Sequence, residues 1–288
     1  MVNDSYPLQA GGVDDYPVKV GSMLLTLVDP HKGYESAYNR WYERDHYIAG
    51  CLIGPYNFAG SRWVATREMK SLRWGTAPAG SSSPTANAVA DPIDAGSYVA
   101  IYWIEAGHHE DWDAWALKQV RWLYTNGRGF NERSHVHTVT FDHVGDDYRD
   151  ADPVPVELAL DHHYDAIVGV WLDGRDRLDA AALHSRLRDT GALKELLEGS
   201  DLEIAASWTP RPEFRNSRDS APMSLGTPGG QDNRLCQLLF VGGDVRESLP
   251  RLRTYTDRLA AEGIADTLLV APFLRTVVGT DTYVDQLW

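Results

Sequence analysis

The stretch YNRWYERDHYIAG, residues 38–50, contains the side chains of this sequence that are best suited to chemistry. Its pattern predicts a helix on which Tyr38, Tyr42 and His46 follow one another at four-residue steps and share a face. An imidazole beside phenol hydroxyls can act as general base or general acid, because its unperturbed pKa is about 6.5. Trp41 lies on the neighbouring stripe. The alternative is a histidine that caps the carbonyls at the end of a helix.

A second candidate is the His-x-His pair in SHVHTVTFDHV, residues 134–144. On an extended strand, His135 and His137 should project from the same face, together with Phe141. Two functional interpretations stay open. The pair acts as acid, base or hydrogen-bond donor to a substrate carbonyl, or it supplies two ligands of a metal whose third ligand lies elsewhere. The polar residues just before the pair are also compatible with an exposed strand start.

Several other side chains are predicted to bind a substrate. Arg62, in the strand NFAGSRWVAT, would bind a carboxylate or polarise a carbonyl if it faces a pocket, and would be solvated if it faces outward. Tyr98 and Tyr102 share one face of the strand SYVAIYWIE, and their hydroxyls suit either a pocket wall or a packed core. The complete predicted substrate-binding set is Trp41, Arg62, Trp63, Tyr98, Tyr102 and Phe141.

Many familiar chemistries lack their sequence signatures. The sequence contains no P-loop, no dinucleotide-binding fingerprint, no G-x-S-x-G elbow and no cysteine pair spaced for zinc. We therefore expect no metal and no cofactor. Cys51 and Cys236 are far apart, which argues against a disulfide framework and favours a reducing cytoplasm. Cys51 could be a nucleophile beside His46, although a buried, unreactive thiol is the stronger expectation.

The charge balance excludes two classes of partner. The formal net charge is −14, from 41 acidic and 27 basic residues. Nucleic-acid surfaces and polybasic membrane anchors need clustered basic residues, so neither partner is expected. The first residues do not resemble a signal peptide, and no apolar run approaches the roughly 18 to 20 residues that span a bilayer. The expectation is a soluble, cytoplasmic protein.

The elements that must position these residues follow one pattern twice. In the first half, the pattern predicts strands at 23–28, 57–66, 97–105 and 134–144, with helices at 34–48 and 108–125. In the second half, it predicts strands at 164–172, 202–208, 234–242 and 267–278, with helices at 178–197 and 247–263. Each half is therefore β-α-β-β-α-β.

Both halves carry a long insertion rich in glycine, proline and serine between their second and third strands, at 75–96 and 210–233. The shared position favours duplication. An acidic, proline-containing segment separates the halves and is predicted to be a linker. The predicted organisation is an N-terminal extension at 1–21, a first repeat at 22–144, a linker at 145–161 and a second repeat at 162–288.

The β-α-β-β-α-β order predicts an α+β fold of two ferredoxin-like repeats. One face of each four-stranded sheet lacks helices, so the two repeats should pack sheet to sheet as an intramolecular α/β barrel. Its interior would be a site for a small ligand. Seven of the ten tryptophans and seven of the ten histidines precede the linker, which predicts that the first repeat holds the active pocket.

This topology and the first-helix motif resemble the dimeric α/β-barrel superfamily, and within it the EthD-like branch, here as a tandem fusion. In that branch the first helix carries a Trp-Tyr pair followed by a histidine, and the next strand carries an arginine. The matching residues are Trp41, Tyr42, His46 and Arg62. Members of the branch usually place a proline soon after the histidine, where this sequence continues with YIAGC.

The resemblance implies a small-molecule enzyme of polyketide or aromatic metabolism, in a superfamily of cyclases, isomerases, dehydratases, cofactor-free monooxygenases and haem enzymes. Our leading hypothesis is a cofactor-independent lyase, isomerase or cyclase. In it His46 is the acid or base, and Tyr42, His135 and His137 bind the oxyanion of a hydrophobic, carbonyl-containing substrate. The alternatives are a haem-dependent, metal-dependent or cofactor-free oxygenase, and a non-catalytic metabolite-binding protein. The sequence is also compatible with a homodimer.

Overall fold

A computed structural model of the protein describes residues 17–78, 80–83, 85–176, 178–212 and 223–288. Most of the predicted N-terminal extension and the middle of the second insertion lie outside these residues. The strands are β1 (Val20–Pro30), β2 (Asn57–Val64), β3 (Tyr98–Glu105), β4 (Arg133–Tyr148), β5 (Ala166–Gly174), β6 (Leu202–Pro210), β7 (Arg234–Val241) and β8 (Ala265–Arg275). The helices are α1 (Glu35–Trp41), a π-helix (Tyr42–Leu52), α2 (Arg67–Ser71), α3 (His109–Thr125), a 3₁₀ helix (Val156–Leu158), α4 (Ala180–Asp189), α5 (Ala192–Leu197) and α6 (Val245–Ala261).

Eight strands of the described chain form one antiparallel sheet that closes on itself in the order β1-β3-β2-β8-β5-β7-β6-β4. Read by halves, this order is β4-β1-β3-β2 and then β8-β5-β7-β6, so corresponding strands occupy corresponding places. The predicted α+β class is confirmed. Almost every strand falls where the alternation of apolar residues predicts it.

The two seams between the halves differ in length. β4 and β6 pair from Phe141 opposite Pro210 to Tyr148 opposite Ile204. β4 therefore continues through residues 145–148, which the sequence pattern assigns to the linker. β2 and β8 pair only at Val64 opposite Leu274 and at Trp63 opposite Arg275. The second seam thus leaves most of β2 without a partner on that side.

The inner face of the sheet is a packed core. Met23, Trp103 and Phe141 lie directly opposite one another on adjacent strands and are fully buried. Trp208 of β6 stacks on Trp103 of β3, with ring centroids 4.7 Å apart. Tryptophan rings therefore pack in the interior where the sequence pattern predicts a ligand chamber, and the cavity that contains His46 lies outside the barrel.

The outer face carries the helices. In β3, Tyr98 and Tyr102 point to this face, where they join an aromatic cluster with Tyr38 and Tyr42. The helix predicted at 34–48 is instead a short α-helix that continues as a π-helix. The helix predicted at 178–197 is divided at Gly191, whose φ of 73° ends α4. In the part of the chain that the structure describes, no helix is both long and apolar enough to cross a membrane.

The tryptophan core gives a test of the fold. Trp208→Ala should lower the free energy of unfolding by about 3–5 kcal/mol, because it removes a fully buried indole and its stack on Trp103. Trp122→Ala is the matched control, since Trp122 is 50% exposed. The control should change the free energy by about 0.5 kcal/mol or less. Urea denaturation measures both, and equal losses would contradict the packed interior.

Candidate functional site

The π-helix sets the surroundings of His46. Its backbone hydrogen bonds reach five residues back rather than four, so a side chain meets the residue five positions earlier. His46 accordingly stacks on Trp41, with ring centroids 4.6 Å apart and an angle of 18° between the planes. Tyr42 meets the imidazole edge-on, with centroids 5.3 Å apart. The α-helical spacing predicted the Tyr42 contact but not the stack. Extended π-helices are rare, and π-bulges often occur at functional sites.

Gly50 makes room for this imidazole. A Cβ at position 50 would lie 2.6 Å from Nδ1 of His46, closer than side chains tolerate. On the other side, the indole of Trp41 is held by its Nε1, which donates to the backbone oxygen of Arg128 at 2.9 Å. The guanidinium of Arg128 in turn pairs with Asp45. His46 is therefore positioned by packing and not by hydrogen bonds.

His46 lines a cavity of about 120 Å³ between the outer face of β1 and β4 and the layer formed by the π-helix and α3. We refer to it as the π-helix cavity. Its size is close to that of cavities of about 150 Å³ that hold a benzene ring. The walls are largely apolar, with Leu24, Leu117 and Val120 from the first half and Met223 and Leu225 from the second.

Several polar groups of this cavity lack a hydrogen-bond partner among the described residues. Neither ring nitrogen of His46 has one, and neither does the carboxylate of Asp113. Trp112 Nε1 and Thr140 Oγ1 are buried without a partner, and all four residues line the cavity. Buried polar groups are normally paired. The rule applies to Trp112 Nε1 and Thr140 Oγ1, which mark the cavity wall as a place where a polar ligand would complete the bonding, whereas His46 and Asp113 are only partly buried.

Both histidines of the cavity are uncharged at neutral pH. Burial lowers the pKa of His46 to about 3, and the nearby charge of Arg133 adds to the effect. The pKa of His135 is likewise lowered to about 3, by burial, by Arg133 and by His46. An imidazole whose conjugate acid has so low a pKa is a weak base, so neither residue suits proton abstraction near neutral pH.

His135 is also fixed in one tautomer. Its Nε2 lies 3.2 Å from Nε of Arg133, which can only donate a hydrogen bond. Nε2 must then be the acceptor, and Nδ1 carries the proton and donates to Thr138 Oγ1 at 2.7 Å. With both ring nitrogens engaged by the protein, His135 orders the cavity wall instead of reacting.

Asp113 is the site residue that the sequence interpretation missed. Burial raises the pKa of its carboxyl above the usual 3.8, Arg211 opposes that rise, and Glu110 adds to it. A signal exists in the sequence. Asp113 is an acid at the head of the apolar α3 stripe formed with Ala116, Leu117 and Val120, at positions i, i+3, i+4 and i+7.

The phenols and the thiol around the cavity stay uncharged, whereas Arg133 supplies a positive charge to its wall. The hydroxyls of Tyr42 and Tyr102 lie 2.9 Å apart, and burial raises the pKa of both phenols well above 10. Burial also raises the pKa of the Cys51 thiol to about 12, which agrees with the expectation of an unreactive cysteine. Tyr42 can therefore donate or accept a hydrogen bond without carrying charge.

His137 lies on the opposite face of the sheet from His135. Val28 is opposite His135 and Leu27 is opposite His137, so Val136 has no partner on β1. This β-bulge breaks the two-residue alternation. The ring of His137 points into the barrel, 6.0 Å from the ring of Trp171, and Nδ1 lies 2.8 Å from Thr227 Oγ1. The predicted shared face of the two histidines is wrong for this reason.

Arg62 is not solvated, and it lines a different cavity, at the seam between β2 and β8. It is buried, yet it does not line the π-helix cavity. Nη1 donates to Asn39 Oδ1 at 3.0 Å and to Glu43 Oε1 at 3.2 Å. The guanidinium lies over the rings of Tyr42 and Tyr98, at 4.5 and 4.6 Å from their centroids.

The structure therefore divides the predicted site residues into three groups. The π-helix cavity brings together Tyr42, His46 and His135, with Trp41 and Tyr102 directly behind them. A second cluster under the start of the π-helix contains Arg62 and Tyr98. The tryptophan-rich core contains His137, Trp63 and Phe141. These side chains are packed inside the core and do not contact a ligand in the π-helix cavity.

Comparisons with known proteins point to the fold. No protein-family profile and no curated protein matches the sequence. A solved structure provisionally assigned as a chlorite dismutase is 11% identical, with a TM-score of 0.50, and the match covers 94% of this chain and 100% of that one. At this identity, the likeness shows a shared α/β fold of the ferredoxin-like kind and no more.

Two further structures are more distant. A provisionally assigned monooxygenase from Fusobacterium nucleatum is 9% identical, with a TM-score of 0.48 over 89% of this chain and 93% of that one. A DyP-type peroxidase from Mycobacterium smegmatis is 10% identical, with a TM-score of 0.45 over 94% of this chain and 96% of that one.

The leading functional prediction, a cofactor-independent lyase, isomerase or cyclase, is wrong. The similar structure with a TM-score of 0.50 carries the description of a chlorite dismutase, not of a lyase, isomerase or cyclase. The site agrees with that correction, because its histidines are too weakly basic for the acid/base role that the prediction gave them.

A haem does not fit the π-helix cavity. The cavity volume of about 120 Å³ is far too small for a haem, which is a macrocycle of four rings. Histidines that bind a metal normally donate their second ring N–H to an acceptor, and His46 has none among the described residues. Within the same residues, no group of three or more His, Cys, Asp or Glu side chains could hold a metal ion.

The low pKa of His46 predicts a pH dependence of stability. Between about pH 6.5 and 3, His46 is protonated in the unfolded chain but stays neutral in the folded protein. The free energy of unfolding must therefore fall as the pH falls through this window. His46→Gln should reduce that slope, by up to about 1.4 kcal/mol per pH unit. Urea denaturation at several pH values measures it, with the exposed His31→Gln as the control. A wild-type slope in His46→Gln would contradict the burial of His46.

Proposed function

We propose that this protein is a cofactor-free oxygenase, an oxidoreductase that uses dioxygen to oxidise a small hydrophobic molecule bound in the π-helix cavity. The proposal follows the oxygenase alternative of the sequence analysis. The observation that carries it is the pair Asp113 and His46, which both line a largely apolar cavity and have no hydrogen-bond partner among the described residues. An acid with a raised pKa and a neutral imidazole can share proton removal and charge stabilisation between them.

The cavity suits a substrate with an acidic C–H bond between an aromatic ring and a carbonyl. The Asp113 carboxylate would take the proton, and the charge left behind would spread onto the carbonyl oxygen. An N–H of neutral His46 would donate a hydrogen bond to that oxygen, and it loses no proton in doing so. Leu24, Leu117 and Val120 exclude water, which strengthens this hydrogen bond and protects the carbanion from simple reprotonation.

Dioxygen supplies the oxidising power. The carbanion adds dioxygen to form a peroxide, which takes back the proton from Asp113. The peroxide then loses water as the second C–H bond breaks and the carbonyl forms. In total, R₂CH₂ and O₂ give R₂C=O and H₂O, so four electrons pass from carbon to oxygen. The protein supplies the base, the hydrogen-bond donor and a dry cavity.

We further infer that the chain is a tandem fusion of two ferredoxin-like repeats of the EthD-like kind, closed as an intramolecular barrel. The shared strand order of the halves supports the fusion. The Trp41–His46 stack gives the first-helix motif a physical role. A cytoplasmic location and a homodimer stay predictions.

The activity is tested with 2-indanone, a compact ketone whose CH₂ groups lie between an aromatic ring and the carbonyl. Purified protein should bind it, consume dioxygen, and release indane-1,2-dione and water, with no Soret band in its absorption spectrum. Asp113→Asn should lower the rate by about 100-fold or more, the usual effect of losing a general base. Asp111→Asn, an exposed acid on the same helix, is the control.

The pH profile separates the two candidate bases. Because the deprotonated carboxylate of Asp113 is the base, the rate should fall as the pH drops through the raised pKa of Asp113, and this limb should be absent in Asp113→Asn. Equal rates in wild type and Asp113→Asn would remove Asp113 as the base. Binding of 2-indanone without oxygen consumption would contradict the oxygenase and indicate a metabolite-binding protein.

A further inference from the structure

A second cavity opens at the short seam between β2 and β8. It has a volume of about 250 Å³ and lies where β2 loses its partner, next to Gly60 and Ser61. We call it the seam cavity. None of its lining residues lines the π-helix cavity. Two of them, Arg62 from β2 and Arg275 from β8, are cationic.

The guanidinium of Arg62 is incompletely satisfied. Its side chain is 3% exposed, and only Nη1 has partners, on Asn39 and Glu43. Nε and Nη2 are buried with no partner among the described residues. An arginine stays charged at all accessible pH values and carries five donors, so unpaired donors in a buried position are costly.

Arg275 is a partly desolvated cation as well. Burial lowers the pKa of its guanidinium, and Asp161, Tyr47 and Asp165 oppose that effect. Nη1 donates to the backbone oxygen of His162 at 2.5 Å. The guanidinium packs over Trp63, 5.4 Å from the ring centroid. Its other donors, Nε and Nη2, have no partner in the described chain.

The acids of the seam cavity limit the charge of a ligand. Glu43 accepts from Arg62 Nη1 and also from the backbone N–H of Gly279 at 2.8 Å, so it is already engaged. Asp161 is the second acid of the lining. Two cations beside two carboxylates favour a singly charged anion over a doubly charged one, because each extra charge meets repulsion.

The geometry points to a binding site for a small monocarboxylate in the seam cavity, with Arg275 and Arg62 as its cationic partners. A planar carboxylate can accept two parallel N–H hydrogen bonds from a guanidinium. Phosphate can accept the same pair of hydrogen bonds, but it carries a higher negative charge. Leu160, Val278 and the ring of Tyr47 supply apolar surface for the rest of the molecule. The site stands independently of the proposed oxygenase, since the two cavities share no residue.

Calorimetric titration of the full-length protein with benzoate tests this site. Wild type should bind benzoate saturably and more tightly than inorganic phosphate. Arg275→Gln should weaken benzoate binding by about tenfold or more, the effect of one lost charge-assisted hydrogen bond. Arg40→Gln is the control, because Arg40 is exposed and pairs with Asp281 at the surface.

A second variant keeps the test valid if Arg275→Gln fails to fold. Val278 is 78% exposed, so Val278→Asp should fold normally and should repel benzoate at the edge of the cavity. Benzoate binding that is unchanged in both Arg275→Gln and Val278→Asp would overturn the proposal. Tighter binding of phosphate than of benzoate, or no saturable binding of benzoate, would also overturn it. Oxidation of 2-indanone should be unaffected in both variants.

Discussion

The stack of His46 on Trp41 is the contact on which the site depends. It requires the five-residue spacing of the π-helix, and it requires Gly50, because any Cβ there would strike the imidazole. The stack buries the ring, and neither ring nitrogen has a partner in the part of the chain that the structure describes. Burial then removes the charge of His46 and leaves a neutral group that can only donate or accept a hydrogen bond. In the proposed reaction, the role of the base falls to Asp113 on α3, which lines the same cavity.

The two faces of the sheet differ: the inner face forms the packed core, and the outer face carries the candidate site. The inner face is filled with tryptophan rings, which leave no space for a ligand and join the two halves through the Trp103–Trp208 stack. The outer face meets the helices, and the π-helix cavity lies between them and the strands. The bulge at Val136 places His135 on the outer face and His137 on the inner one. The second half adds Met223 and Leu225 to the cavity wall.

The sequence predicts the elements well, because apolar residues repeat every two positions in strands and every three to four in helices. It also points to His46 and His135, and to the Trp41–Tyr42 pair. The sequence pattern could not predict the π-helix or the β-bulge, since each shifts the spacing of side chains by one residue without changing the composition. The burial of Arg62 could not be predicted, because it depends on Asn39, Glu43 and two tyrosine rings that only the fold brings together. Asp113 could have been predicted, because it is an acid on an apolar helical stripe.

The most direct test of this account is the protonation of His46, followed by NMR on protein with ¹⁵N-labelled histidine across a pH titration. The account predicts that the His46 imidazole keeps one proton and stays neutral down to a pKa of about 3, in agreement with its burial against Trp41. Its ring signals should shift when 2-indanone is added. A His46 that titrates near its ordinary value of about 6.5 would contradict the account, because the imidazole would then be charged or solvated and free to act as the base.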